Sequence, residues 1–233
     1  MCCGNGCSHE ALCIMSVPVF QGLNEADLQL LQKVTRSKTY SKGELIFQEG
    51  ERSDTLFVVN EGVIKLTKMS AGGKEQIVRL LFPGDFFGLF SLLKNETHYV
   101  NAEAVKKTVI CFINKKDFLS TMESNAHLSY RFLLALNDRL HEADESVGLL
   151  SLMEVEQRLA KVLILFHDKL MAKNHSFTLP ITKKDLACYI GTTPETVSRK
   201  LQSFVSQRLI RVNGPRHIQI LELNQLKQIA EMN

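Results

Sequence analysis

Long hydrophobic runs are missing from this chain. None approaches the roughly 18 uninterrupted apolar residues that a membrane helix needs, so no membrane span is expected. The opening residues also lack the basic start and apolar stretch of a secretory leader, which makes the cytoplasm the expected compartment. Enzyme signatures are equally absent: there is no HExxH, no nucleophile–base arrangement and no glycine loop suited to phosphate, so catalysis is not expected. Charge of one sign is scarce too, the net being only +3. What charge there is lies unevenly. Residues 154–233 hold 12 Lys/Arg against 7 Asp/Glu, a net of +5, and the remainder carries −2. A basic C-terminal third points to a polyanionic partner there.

Cysteine is rare except at one end, where four of the six fall in MCCGNGCSHEALC, the first 13 residues. In a reducing compartment such a cluster suggests metal or redox chemistry over structural disulfides. The thiols could hold an iron–sulfur cluster or zinc, or form a redox-switched disulfide. The other two are Cys111 and Cys188. Cys111 alone could be an ordinary core residue, and Cys188 reads as packing. His9 reads as a solvated side chain.

Residues 21–35 form an expected short amphipathic helix with Leu28, Leu31 and Val34 on one side. From Thr39 to about Phe112, short period-two runs such as DTLFVVNEGVIKLTKM and TVICFI alternate with glycines, the pattern of a β-sandwich or roll. Proline then disappears. Between Leu128 and Leu152 only Gly148 interrupts good helix formers, and Leu133, Leu136, Leu140, Ala143, Val147 and Leu150 recur at 3-4-3-4-3 spacing. That is the seam of a coiled coil between two copies, although an amphipathic helix packed on its own domain shows a similar stripe. Asp138, Glu142, Asp144 and Glu145 flank the seam, so a parallel homodimer would be poised near dissociation. A second helix is expected over about 154–172, opening onto a loop, NHSFTLP.

The most specific signal is ITKKDLACYIGTTPETVSRKLQSFVSQRLI. Thr182 and Asp185 resemble a capping box, and Leu186, Ala187 and Ile190 make a buried face. Gly191 supplies a turn, and Thr193–Pro194 opens a second helix with Val197, Leu201 and Phe204 facing inward. Helix, turn and helix, followed by a two-stranded wing turning at Asn213–Gly214 with Arg211 and Arg216 near its tip, describe a winged helix-turn-helix for double-stranded DNA. Glu195, Ser198 and Arg199 are the residue types that read base edges in the major groove. Lys183, Lys184, Thr193, Lys200 and Arg216 are placed for phosphates.

Taken together, KGELIFQEG, LFVVNEGVIKL, PGDFFG and TTPETVSRKL resemble the CRP/FNR family of bacterial transcription regulators from about Val19 to Ala230. The resemblance implies an α+β chain with four parts: a cysteine-rich segment (1–18), an antiparallel β-roll of the cyclic-nucleotide-binding jelly-roll type (19–123), a long dimerisation helix (124–152) and a winged helix-turn-helix (153–233). The Glu195–Ser198–Arg199 set is similar to the FNR type, which implies TTGAT-like inverted repeats and contacts with RNA polymerase. Cyclic-nucleotide members carry a glutamate where this chain has Leu89, and an Arg-Ser pair where it has Tyr99–Val100. A cyclic phosphate would lack its cation, so no cyclic nucleotide is expected. CSHEALC is similar to the FNR segment bearing two ligands of an oxygen-labile [4Fe–4S] cluster, and Cys111 matches a further one. The implied ligands are Cys3, Cys7, Cys13 and Cys111. Gly4 stands where the first ligand is usual, which leaves Cys2 as the alternative to Cys3.

Overall fold

The computed structural model describes residues 33–170 and 173–231; Cys2, Cys3, Cys7 and Cys13 lie outside them, as does most of the helix expected over 21–35. The described residues form two compact units. One runs to Met69 and resumes at Val78–Leu140; the other joins Ser70–Ile77 to the chain from His141 onward.

The first unit holds the roll, except for the start of its fifth strand, which falls in Ser70–Ile77. The roll's strands are β1 (Arg36–Tyr40), β2 (Leu45–Phe47), β3 (Thr55–Glu61), β4 (Ile64–Met69), β5 (Glu75–Leu81), β6 (Phe86–Phe87), β7 (Asn101–Ala104) and β8 (Thr108–Asn114). They make two four-stranded sheets, β1-β8-β3-β6 and β2-β7-β4-β5. Side chains alternate across a strand, and here both faces of β3 and β8 are used. Phe57, Val59 and Ile110 enter a core shared with Phe47, Ile64, Leu66 and Phe87. Leu56, Val58, Cys111 and Ile113 turn the other way, into a second apolar cluster with Phe86, Phe118, Leu128 and Phe132. Burial on both faces is why LFVV reads as a continuous apolar run. At the β3–β4 turn Gly62 has φ +102°, and a Cβ there would land 2.2 Å from Thr108 Oγ1. Only glycine fits.

Helices close that second cluster. A short helix that the strand pattern did not reveal, α1 (Leu89–Lys94), follows β6 and buries Leu92. Asn114 caps α2 (Lys115–Ser124) by accepting from the Asp117 N–H at 2.9 Å. Asn125 then breaks the helix and restarts it: its Oδ1 accepts from the Leu128 N–H at 2.9 Å, opening α3 (Ala126–Leu152). The first half of α3 belongs to the roll. Phe132 packs edge-on to Phe118 and tilted against Phe86, and burying such a ring contributes about 2–3 kcal/mol. Arg139 donates to Asp85 Oδ1 at 2.8 Å and lies over the Phe86 ring.

The second unit is built on α4 (Val155–Lys169), which buries Leu159, Leu163 and Phe166 and packs on α7 (Leu223–Glu231). Between them come α5 (Lys183–Ile190), α6 (Pro194–Ser206) and the sheet β10-β11-β9, formed by β9 (Ser176–Thr178), β10 (Ile210–Asn213) and β11 (His217–Ile220). The segment NHSFTLP, expected as loop, supplies β9. Three residues with alternate exposure carry too little pattern to announce a strand; pairing with β11 creates it. Among the described residues no helix is long and apolar enough to cross a membrane.

Candidate nucleic-acid interface

Local chemistry sets both helices of the DNA-reading pair. Thr182 Oγ1 accepts from the Asp185 N–H at 3.0 Å, and Asp185 Oδ2 accepts from the Thr182 N–H at 3.1 Å, completing the capping box of α5. Gly191 ends α5 at φ +67°, with its N–H on the Ala187 carbonyl. The turn is tight: a Cβ at Gly191 would lie 3.2 Å from both Arg158 Nη1 and Leu150 Cδ2. Arg158 itself donates to the Ile190 carbonyl at 2.7 Å, satisfying a carbonyl of the last turn of α5. This cation from α4 went unnoticed in the sequence, because no local spacing connects residue 158 to residue 190. Thr193 caps α6, its Oγ1 accepting from the Thr196 N–H at 3.2 Å, and Pro194 occupies the first helical position.

Val197, Leu201 and Phe204 are buried, as their spacing requires. Glu195, Ser198 and Arg199 lie together on the exposed first turns of the opposite face. The Glu195 carboxyl is held below its ordinary range by its own backbone N–H and then by the Thr193 hydroxyl, so it is ionised and acts only as an acceptor. Lys184 and Arg211 are exposed, whereas Lys183 and Arg216 are half-buried. Lys200 differs from expectation: its ammonium is paired with the Glu156 carboxylate of α4. The wing forms as expected, with Asn213 opposite His217 and Gly214 turning at φ +70°.

The six-residue stripe on α3 divides. Leu133, Leu140 and Val147 are about two-thirds exposed. Leu136 is half-buried against the roll's second cluster, and Leu150 lies beside the Gly191 turn. Ala143 is exposed.

In the roll, Leu89, Tyr99 and Val100 are uncharged residues. Leu89 packs into the second cluster, Val100 is buried, and Tyr99 is half-exposed and edge-on to Phe90. Cys111 is 1% exposed among Val58, Phe118, Leu128 and Phe132. It is disulfide-bonded. Among the described residues no three His, Cys, Asp or Glu side chains gather as a metal site. Cys188, in α5, is half-buried and not part of a disulfide.

Comparison with known proteins places these features. Residues 37–125 match the cyclic nucleotide-binding domain and residues 157–229 the Crp-like helix-turn-helix domain. The Cyclic AMP receptor protein of Thermus thermophilus is 30% identical over 91% of this chain and 96% of its own. This chain belongs to the CRP/FNR family of transcription regulators. The Anaerobic regulatory protein of Haemophilus influenzae is also 30% identical, over 97% of this chain and 87% of its own. The solved structure of FixK2 from Bradyrhizobium japonicum has 26% identity and a TM-score of 0.78, covering 84% of this chain and 97% of that one. Two relatives of equal identity carry names that refer to different signals, so overall similarity does not choose an effector. The residues must.

Proposed function

We propose that this CRP/FNR regulator binds TTGAT-like inverted repeats as a homodimer, under the control of an oxidant-labile [4Fe–4S] cluster. The observation that carries the DNA half is the single exposed face of α6, where ionised Glu195, Ser198 and Arg199 project from a helix end held by Thr193 and Pro194. Arginine bonds guanine O6 and N7 together, glutamate accepts from cytosine N4, and serine adapts to either edge. Lys183, Lys184, Thr193 and Arg216 serve the phosphates. Lys200 can join them only by leaving Glu156. The exposed Leu133, Leu140 and Val147 supply the dimer seam, which would set two recognition helices about one DNA turn apart, near 34–36 Å. RNA polymerase is the further partner we propose, on the family resemblance alone.

The sensing half rests on Cys111. A thiolate in apolar surroundings is costly unless it is bound, and this sulfur has Leu128 and Phe132 of α3 in its own cluster. Cys3 (or Cys2), Cys7 and Cys13 would complete a four-thiolate set, which suits iron–sulfur chemistry. When bound, the cluster supplies a centre that oxygen or nitric oxide destroys. Whatever Cys111 is bonded to bears on the packing of α3, and so on the seam; linkage requires only that bonding at Cys111 and DNA binding favour the same state. The apolar Leu89 and Val100, where the resemblance expects a glutamate and a serine, support a regulator without cyclic nucleotide. Iron and sulfide analysis after anaerobic purification, with DNA binding measured before and after air, tests the reading. Iron-free protein that binds the repeats equally well in both conditions would refute it.

The disulfide at Cys111 favours a second reading, a thiol–disulfide switch at the same residue. Iron-free protein whose DNA affinity follows the dithiol/disulfide ratio would select it. Zinc content without redox response would leave a structural metal.

A further inference from the structure

The second unit takes in a segment from far earlier in the chain, Ser70–Ile77, which holds the turn between β4 and β5 and the first residues of β5. That turn is tightly tied. The Ser70 N–H donates to the Lys74 carbonyl and the Gly73 N–H to the Ser70 carbonyl, each at 2.9 Å, and Ser70 Oγ accepts from the Lys74 N–H at 3.1 Å. From this segment Gln76 reaches α5. Its Nε2 donates to the Cys188 carbonyl at 2.6 Å and to the Ile77 carbonyl at 3.1 Å, which uses both amide protons. In a continuing helix the Cys188 carbonyl would take the Thr192 N–H. Here the Thr192 N–H turns to the Ala187 carbonyl, as does that of Gly191, because the chain leaves α5 through the left-handed Gly191. Gln76 supplies the donor that the turn withdraws.

We propose that Gln76 is a positioning residue for DNA reading: it holds the last turn of α5 and so fixes the turn from which α6 presents Glu195, Ser198 and Arg199. The inference rests on the DNA-reading role proposed above for that face. Gln76 on the Cys188 carbonyl and Arg158 on the Ile190 carbonyl grip the same helix end from two distant parts of the chain. None of Gly191, Thr192 and Thr193 is buried, so hydrogen bonds at the end of α5 do much to set the course of the chain into α6. A turn left loose must be ordered when the helix enters the groove, and that ordering costs binding free energy. The donor itself is well placed for the role. β5 continues from Gln76 through the buried Ile77 to Leu81 in the roll's inter-sheet core, so the side chain stands on a strand whose far end is fixed.

Amide hydrogen exchange and DNA binding on the full chain test this together. Gln76→Met and Gln76→Glu both keep the length of the side chain and remove its donor. Each should speed exchange at Gly191 and Thr192 about 2–10-fold, the worth of one neutral hydrogen bond, while the Leu163 and Phe166 amides of α4 keep their protection. Affinity of Gln76→Met for a duplex carrying a TTGAT inverted repeat, read by anisotropy, should fall by a similar factor. Its salt dependence should not change, because no phosphate contact is lost. Unchanged exchange at Gly191 and Thr192, or faster exchange with unchanged affinity, would overturn the proposal. Equal acceleration throughout α4 would do the same, since it reports loss of stability in the whole unit. A native chain that ignores the duplex overturns the DNA reading and the positioning role with it, and that failure is distinct because it appears before any substitution.

Discussion

Arg199 stands four residues after Glu195 on α6, one helical turn further along the same exposed face. Replacing Arg199 with alanine is expected to cost about 1–3 kcal/mol, roughly 5–150-fold, on the preferred sequence. It should relax discrimination at one base pair, as read by anisotropy against half-site variants. Thr193→Ala removes the cap that also holds Glu195, and should cost about 1 kcal/mol of stability. His98 gives a pH dependence. It is stacked on Phe47 at 3.5 Å, Nδ1 lies 3.1 Å from the Ser91 hydroxyl, and Nε2 finds no partner among the described residues. Ser91 donates to the Gly88 carbonyl at 3.0 Å, which leaves its oxygen able to accept from His98 Nδ1. Burial lowers its pKa, with Glu51 opposing. The unfolded chain then binds the proton more readily, so the stabilisation is complete above about pH 6.5 and declines as pH falls below it. Urea unfolding from pH 7.5 to 5 should show this slope, and His98→Phe should flatten it. Caps and the buried face of each short helix were legible at this scale because they are local. The His98–Phe47 stack and the Arg158–Ile190 bond were not, because their partners are brought together only by folding.

Along α3, one apolar stripe meets different surroundings. Leu133, Leu140 and Val147 remain exposed, Leu136 packs toward the roll and Leu150 toward the Gly191 turn. A heptad pattern reports that a side chain is apolar at a given angle; it does not say which surface meets it. Leu140→Glu or Val147→Glu should therefore move the sedimenting species toward monomer with little change in the monomer's melting. Leu136→Ala should lower roll stability by about 2 kcal/mol, the lower end for a partly buried leucine. Asp138, Glu142 and Asp144 flank the seam, and Glu145 is partly neutralised by Lys161 at 2.8 Å. Repulsion between such surface charges is screened by salt, so the monomer–dimer constant should favour dimer as ionic strength rises from 0.05 to about 0.3 M. The short strand β9 belongs to the same lesson: it exists because β11 pairs with it.

For the whole molecule, the sensing proposal turns on a residue far from the other cysteines in sequence. Cys111→Ala should leave the helix-turn-helix intact while abolishing both bound iron and the response of DNA binding to air; retained iron and retained response would remove Cys111 as a ligand. What the amino-acid sequence determined by itself was whatever depends on near neighbours. That covers the glycine-punctuated strands, the long helix, the capped pair α5–α6, the wing turn and the exposed trio Glu195, Ser198 and Arg199. Backbone hydrogen bonds and period-two or period-3.6 burial act within a few residues, so their cause is written in the order of the chain. Only the tertiary structure decided that Cys111 faces the helices instead of the inter-sheet core, and that Lys200 answers Glu156. It alone set His167 against His175, turned Leu136 to the roll and Leu150 to the Gly191 turn, and left Leu133, Leu140 and Val147 exposed. Each depends on which distant group arrives at the same point in space, and packing of the finished chain selects that group.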